Sequence, residues 1–276
     1  MILNCGGRAL DLRQAVVMGI LNQTPDSFSD GGAFTSVQAV VDRAGEMLEQ
    51  GARILDVGGE STRPGADEVP ADVELDRVIP VIEALAGTFG VPISIDTSKA
   101  EVARAAVAAG AGMINDVCAL RGEGMLQAAV DLNVPVCLMH MQGQPRSMQS
   151  RPEYVDVVEE VGCFLQARID TCLAAGIDSN KLVIDPGFGF GKSLEHNLRL
   201  MKFLSRLCDR GYPVLVGVSR KSMIGDILGA EVNDRLFGGL ALSTLAIWQG
   251  ASILRVHDVA PTIQALKTCQ AVRSIN

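Results

Sequence analysis

Residues 182–193 read LVIDPGFGFGKS. The stretch closes as a nucleotide-binding P-loop does, on Gly191, Lys192 and Ser193. That pattern, G-x-x-x-x-G-K-[ST], needs a glycine at position 186, where this chain has Pro186. Proline has no N–H to offer a phosphate oxygen and holds φ at about −65°, so the ATP cradle is not built here. The same residues make sense as one β-then-α unit. Leu182–Ile184 is a buried strand, Asp185 stands at its tip, PGFGFGK is a loop, and Ser193 caps the next helix.

That unit recurs along the chain. Apolar runs rich in Val, Ile and Leu occur eight times: VVMGILN, RILDVGG, PISIDT, MINDV, VPVCLMH, LVIDPG, PVLVGVS and ILRVHD. They read as strands covered on both faces. Helical periodicity lies between them, with one stripe on Val37, Val40, Val41, Ala44, Met47 and Leu48 and another on Tyr154, Val158, Val161, Leu165, Ile169 and Cys172. Gly51, Gly110, Gly176 and Gly250 follow such stretches where a left-handed C′ residue belongs. The opening ILNCGGRALDL predicts a Gly-Gly hairpin. Pro80 falls inside the helix expected between the second and third strands and predicts a kink or a break there. The expectation is an α/β fold, a (β/α)₈ TIM barrel with a short N-terminal β-hairpin, forming one domain over 1–276. An open sheet would have no reason to stop at eight strands.

Composition narrows the function. Lys plus Arg total 24 against 32 Asp plus Glu, a net charge of −8 that argues against a nucleic-acid or membrane-surface binder. The seven cysteines form no C-x-x-C pair, and an odd number cannot pair completely within one chain. The first residues have no cationic n-region followed by an apolar stretch, and no apolar run is long enough to span a bilayer. A soluble, cytoplasmic protein is expected.

Barrels of this class place their chemistry at the C-terminal ends of the strands. The residues there are Asn22; Glu60, Ser61 and Thr62; Asp96; Asn115; His140; Asp185; Ser219, Arg220 and Lys221; and Arg255 with His257. Ser98 and Glu101 have capping-box spacing, which would start the third helix without Asp96. Asp96, Asp185 and Asn115 make an acceptor-rich pocket suited to a flat heterocycle with adjacent N–H donors, a 2-amino-4-oxo pteridine or a guanine. The competing reading is a buried polar network inside the barrel. Lys221, Arg255 and His257 bring cations to the seventh and eighth exits, where pyrophosphate could bind. The alternative there is that Arg255 pairs with a neighbouring acid and His257 is a core histidine. The long loops GILNQTPDSFSDGG and GGESTRPGADEVP are candidate lids. LMHMQG is a poor zinc site, having one His with two Met. His196 has no partner four residues on and is expected at the surface. The apolar helix RLFGGLALSTLAIWQG is the candidate dimer surface.

MGILNQTPDSFSDGG, DVGGESTRPGA, ISIDTSK, INDV, CLMHMQG, DPGFGFGK, LVGVSRKSMIG and LRVHDV, in this order, resemble the bacterial dihydropteroate synthase family almost end to end. The resemblance implies a homodimeric barrel that joins p-aminobenzoate to 6-hydroxymethyl-7,8-dihydropterin diphosphate, using Mg²⁺ and releasing pyrophosphate. It implies pterin binding by Asp96, Asn115, Asp185 and Lys221, with Met139 and Gly217 lining the slot. Asn22 is implied as the Mg²⁺ ligand, with Arg255 and His257 on the diphosphate and Arg63 assisting. For p-aminobenzoate it implies Phe28, Thr62, Pro64, Phe190 and Ser219. Two readings compete with it, a methyltetrahydrofolate-binding methyltransferase-type barrel and a non-catalytic pterin-binding regulator.

Overall fold

The computed structural model describes residues 1–23, 36–61, 66, 68–143, 148–149 and 152–275. An antiparallel hairpin, β1 (Ile2–Cys5) and β2 (Arg8–Asp11), comes first. Gly6 and Gly7 turn it at φ +61° and +85°, the pair of positive values a type I′ turn demands. Eight parallel strands follow: β3 (Val16–Asn22), β4 (Ile54–Gly58), β5 (Ile93–Asp96), β6 (Met113–Asp116), β7 (Val136–Met139), β8 (Leu182–Asp185), β9 (Leu215–Val216) and β10 (Ile253–Val256). The sheet runs β8-β7-β6-β5-β4-β3-β10-β9, and a bridge between Ile184 and Val214 joins its two ends into the expected barrel.

The helices are α1 (Val37–Glu49), α2 (Ala71–Thr88), α3 (Ala100–Ala108), α4 (Met125–Leu132), α5 (Val157–Ala174), α6 (Leu194–Lys202), α7 (Ser205–Cys208), α8 (Ser222–Leu228), α9 (Leu236–Trp248) and α10 (Val259–Arg273). Both predicted stripes face inwards: α1 buries Val40, Ala44 and Met47, and α5 buries Val158, Val161, Leu165, Ile169 and Cys172. Gly51, Gly110, Gly176 and Gly250 all take positive φ after their helices. No described helix is long and apolar enough to cross a membrane.

Two expectations give way. Pro80 does not break α2, which runs unbroken from Ala71 to Thr88. The proline is exposed, so the Asp76 carbonyl that loses its N–H partner can turn to water, while Val78, Val81, Ile82 and Leu85 anchor the turns on either side. The Ser98–Glu101 capping box does not form either. Lys99 is the N-cap of α3 without a side-chain cap, its amide bonded to Thr97 Oγ1 at 3.2 Å, because its ammonium is drawn to Glu60 and Glu74 at 2.6 and 2.7 Å. Asp96 is still not a cap, as expected.

The two-residue period of the strands sorts the barrel interior into layers. Val16, Met18, Ile54, Met113, Cys137, Val183, Leu215 and Ile253 point inwards at the lower end, where Leu3, Cys5, Leu10 and Leu12 of the hairpin segment seal them. Arg8 fastens this plug by donating to the carbonyls of Ala86 and Gly110 at the ends of α2 and α3. Cys5 passes so close to Gly112 that a Cβ there would lie 2.3 Å from its carbonyl carbon. Two residues further up, the inward positions of β4, β6, β8 and β10 are Asp56, Asn115, Asp185 and Arg255, and the site begins.

Candidate active site

Register places Asn22, Gly58, Asp96 and Asn115 side by side on four neighbouring strands. Gly58 leaves the space between two of them, since a Cβ there would lie 3.5 Å from Asn22 Oδ1 and 3.4 Å from Asp96 Cβ. Met139 pairs with Asp185 across β7 and β8. Arg255 pairs in register with Met18, lower in the barrel, and its side chain climbs to the polar layer. Of the described residues taken from strand exits, all but His140 meet round one cavity of about 580 Å³, among them Asn22, Glu60, Ser61, Asp96, Asn115, Asp185, Ser219, Lys221, Arg255 and His257, and Met139, Phe190 and Gly217 line it with them. Phe28, Thr62, Arg63 and Pro64 lie outside the described residues, as does most of the stretch expected to form the first lid.

The cavity floor is an ionic network centred on Arg255. Its Nε donates to Asp56 Oδ2 and its Nη2 to Asp96 Oδ2, each at 2.6 Å, while Asn115 Nδ2 donates to Asp56 Oδ2 at 3.2 Å. The polar network and the ligand pocket, alternatives in the sequence, are thus one structure. Asp56 is fully buried and stands behind the residues that line the cavity. It was not among the residues read from strand exits, although the inward period Ile54, Asp56, Gly58 carries it. Burial pushes the Asp96 carboxyl up, with Arg255 opposing and Asp56 reinforcing the rise. Asp96 Oδ1 and Asp56 Oδ1 have no hydrogen-bond partner, so the floor keeps acceptor capacity in reserve.

Asp185 ends β8 and is 6% exposed. Burial raises it to about 6, against the pull of the Gly187 N–H, which donates to Oδ1 at 2.7 Å, and of Lys221, Lys192 and Arg255. An apolar wall of Met139, Val117, Met141, Met148 and Phe190 stands beside it. Lys221 lies 4.0 Å over the Phe190 ring. Carboxylates at the edge and apolar faces on the flanks are what a flat, N–H-bearing heterocycle requires.

At the rim, Ser219 Oγ accepts the His257 amide N–H at 3.2 Å and lies 3.0 Å from His257 Nδ1. Arg43 of α1 donates to the His257 carbonyl at 3.3 Å. Arg220 turns away to pair with Asp258 at 2.7 Å. Asp116, the neighbour of Asn115, is structural: it accepts the N–H groups of Cys118 and Leu120 and holds the turn after β6. His196, expected at the surface, is half-buried: it closes the capping box of α6 with Ser193 and packs edge-on against Tyr154, with ring centroids 4.9 Å apart. His140 is buried, and its Nδ1 lies 2.9 Å from Lys192 Nζ. Among the described residues no group of three or more His, Cys, Asp or Glu is arranged to hold a metal ion.

A parallel barrel with this edge and these walls belongs to the pterin-binding class, and residues 18–257 match the family model described as "Pterin binding enzyme". The dihydropteroate synthase of Haemophilus influenzae is 52% identical over 271 residues, covering 98% of both chains. Among solved structures, the Xanthomonas albilineans dihydropteroate synthase with 4-aminobenzoic acid superposes at a TM-score of 0.94 with 55% identity, covering 100% of this chain and 99% of that one. The same organism's enzyme in complex with 7,8-dihydropteroate gives a TM-score of 0.91 at 51% identity, with both chains fully covered. The chain belongs to the dihydropteroate synthase family.

Proposed function

We propose that this chain joins p-aminobenzoate to 6-hydroxymethyl-7,8-dihydropterin diphosphate, releasing pyrophosphate and 7,8-dihydropteroate. The observation that carries the reading is the pairing, in one cavity, of a carboxylate-edged apolar slot with a rim bearing Lys221 and His257. A methyltetrahydrofolate-binding barrel would have the slot but no use for a diphosphate rim.

The pterin lies between Met139 and Phe190. Asp185 accepts from its 2-amino and N3–H edge, and Asn115 fixes its orientation from the opposite side. Loss of pyrophosphate leaves a methylene cation conjugated with the electron-rich dihydropterin, an SN1-like route. The carboxylates of Asp96 and Asp185 stabilise that charge because they are already in place, with little reorganisation to make. Arg255 holds Asp96 in position from below and adds positive charge on the diphosphate side. Ser219 holds the His257 backbone and ring at the rim, accepting its amide N–H and lying against Nδ1, which sets the imidazole on the side where the diphosphate would leave. The arylamine needs no strong base, since its nitrogen is neutral and has a lone pair. Phe190 and Ser219 supply the described part of its site, with Phe28, Thr62 and Pro64 proposed for the remainder and Arg63 assisting at the diphosphate.

Among the described residues, Asn22 offers a hard amide oxygen for Mg²⁺ at the cavity mouth. The ion would be held by Asn22 together with substrate phosphate oxygens and water, and would supply charge neutralisation to the departing pyrophosphate. A homodimer through α9 also belongs to this proposal. Phe237 is 79% exposed and Trp248 56%, with Leu228 of α8 at 55%, large apolar side chains that a partner subunit would cover. Dihydropteroate formation, followed with Mg²⁺ and with excess chelator, tests the reading. Product formed equally well in chelator would remove Mg²⁺ and Asn22 from the account.

A further inference from the structure

The lysine that gave residues 182–193 their P-loop ending takes no part in the reaction above, yet Lys192 is only 2% exposed. A lysine ammonium has three N–H donors and no acceptor. Here Nζ lies 2.9 Å from each of three acceptors: the Gly187 carbonyl, the Phe190 carbonyl and His140 Nδ1. The ammonium can donate to all three, and the neutral amine can donate to the two carbonyls while its lone pair accepts an Nδ1–H, so the nitrogen is held at this point in either form. Burial pulls the Lys192 ammonium down to about 7, with Asp185 opposing the fall and Lys221 reinforcing it. Burial together with the Lys192 charge pushes the His140 ring down to about 2.

The loop is wound tightly round this nitrogen. Gly187, Gly189 and Gly191 take φ of +68°, +78° and +61°. A Cβ on Gly187 would lie 1.9 Å from the His140 carbonyl oxygen, and one on Gly191 2.5 Å from that of Gln142. Three further carbonyls also have donors: Gln149 Nε2 gives to Gly189 O, the Tyr154 hydroxyl to Gly191 O and Asn197 Nδ2 to Lys192 O. Two groups emerge from this winding into the cavity. One is the Asp185 carboxylate, held by the Gly187 N–H, and the other is the Phe190 ring beneath Lys221.

We propose that Lys192 is the positioning residue of the pterin slot: drawn inwards onto Gly187, Phe190 and His140, it fixes the loop that aims Asp185 and seats Phe190 under Lys221, and it binds no phosphate. The proposal rests on the pterin reading above. Lys192→Met tests it, since methionine keeps most of the stem and removes all three donors. Hydrogen exchange of the segment 187–192 in the ligand-free protein is expected to quicken about 10-fold or more, while exchange in β4, β5 and α10 stays as in the parent. Affinity for 6-hydroxymethylpterin, measured by calorimetry, should fall about 10-fold, with KM for the pterin diphosphate rising and kcat changing less than about 3-fold. His140→Phe removes one acceptor and keeps a ring against Phe164, so it should move the same readouts in the same direction by less, and it serves if the methionine variant does not fold.

Parent-like exchange and affinity in both variants would overturn the proposal. So would exchange that quickens evenly across the barrel while the folded fraction binds pterin normally, which is the signature of a purely structural lysine. If the parent protein itself fails to bind 6-hydroxymethylpterin, the pterin reading fails, and the segment-specific exchange still decides whether Lys192 holds the loop.

Discussion

Asp56→Asn tests the network on which the barrel mouth stands. Asparagine keeps the shape of the side chain and one amide oxygen, but the charge is lost. Arg255 Nε then exchanges a bond of 2.6 Å to a carboxylate for one to an uncharged amide oxygen, while Nη2 keeps Asp96. Losing the ionic partner while keeping an acceptor leaves the guanidinium held less firmly by about 1–2 kcal/mol, less than the full cost of breaking the pair. That corresponds to about 5- to 30-fold in any step that needs Arg255 and Asp96 in place. Removing the whole carboxylate, as in Asp56→Ala, would leave a buried guanidinium short of a partner and cost more, about 3–5 kcal/mol, with folding at risk. The asparagine variant is therefore the informative one. Pyrophosphate release measured with each substrate varied in turn should show kcat/KM for the pterin diphosphate falling about 5- to 30-fold, with KM for p-aminobenzoate within about 2-fold of the parent. Unchanged kcat/KM for the pterin substrate, or a loss confined to p-aminobenzoate, would refute the reasoning.

Asp185, raised from 3.8 to about 6 by burial, must be ionised to accept the pterin edge. Pterin affinity should be full above pH 6 and decline as the pH falls through it, and Asp185→Asn should remove that limb of the profile. The stability contribution of the same group has the opposite sign. A raised carboxyl takes up its proton in the folded state first, so between the unfolded and folded pKa values it favours the folded state more as pH falls, visible as a parent-minus-Asp185→Asn difference in melting temperature. Gly187→Ala should keep the barrel's circular dichroism and lose pterin binding, because the methyl lies 1.9 Å from the His140 carbonyl oxygen and must displace the loop. Leu10→Ala, which empties a position 2% exposed in the plug, should cost about 2–5 kcal/mol by urea unfolding and leave kcat/KM unchanged, since the plug lies at the opposite end of the barrel from the cavity.

Much of this was legible because the barrel repeats one simple pattern. Most of the strands are apolar on both faces until the tip, so polar residues at Asn22, Asp96, Asn115, Asp185 and His257 stood out, and the structure brings them to one cavity. Asp56 went unread because it precedes the tip of β4, where an apolar residue is the ordinary expectation. Only inward counting from Ile54 shows that it shares a face with Gly58. Lys192 was legible as a failed P-loop lysine, but its direction was not, since a flexible four-carbon stem points wherever acceptors are found and these come from β7 and from its own loop. The Pro80 break failed because local propensity yielded to the buried face of α2. The capping box at Ser98 failed because Lys99 had two carboxylates to reach, one of them on the loop after β4.

The central claim is that one cavity binds the pterin, releases its diphosphate and passes the resulting cation to an arylamine. Pyrophosphate release from 6-hydroxymethyl-7,8-dihydropterin diphosphate in the presence of Mg²⁺, measured with and without p-aminobenzoate, tests it most directly. The account predicts release that depends on p-aminobenzoate and matches dihydropteroate formed, mole for mole. Release at the same rate without the arylamine would mean a hydrolase, and tight pterin binding with no release at all would mean a binding protein; either result contradicts it.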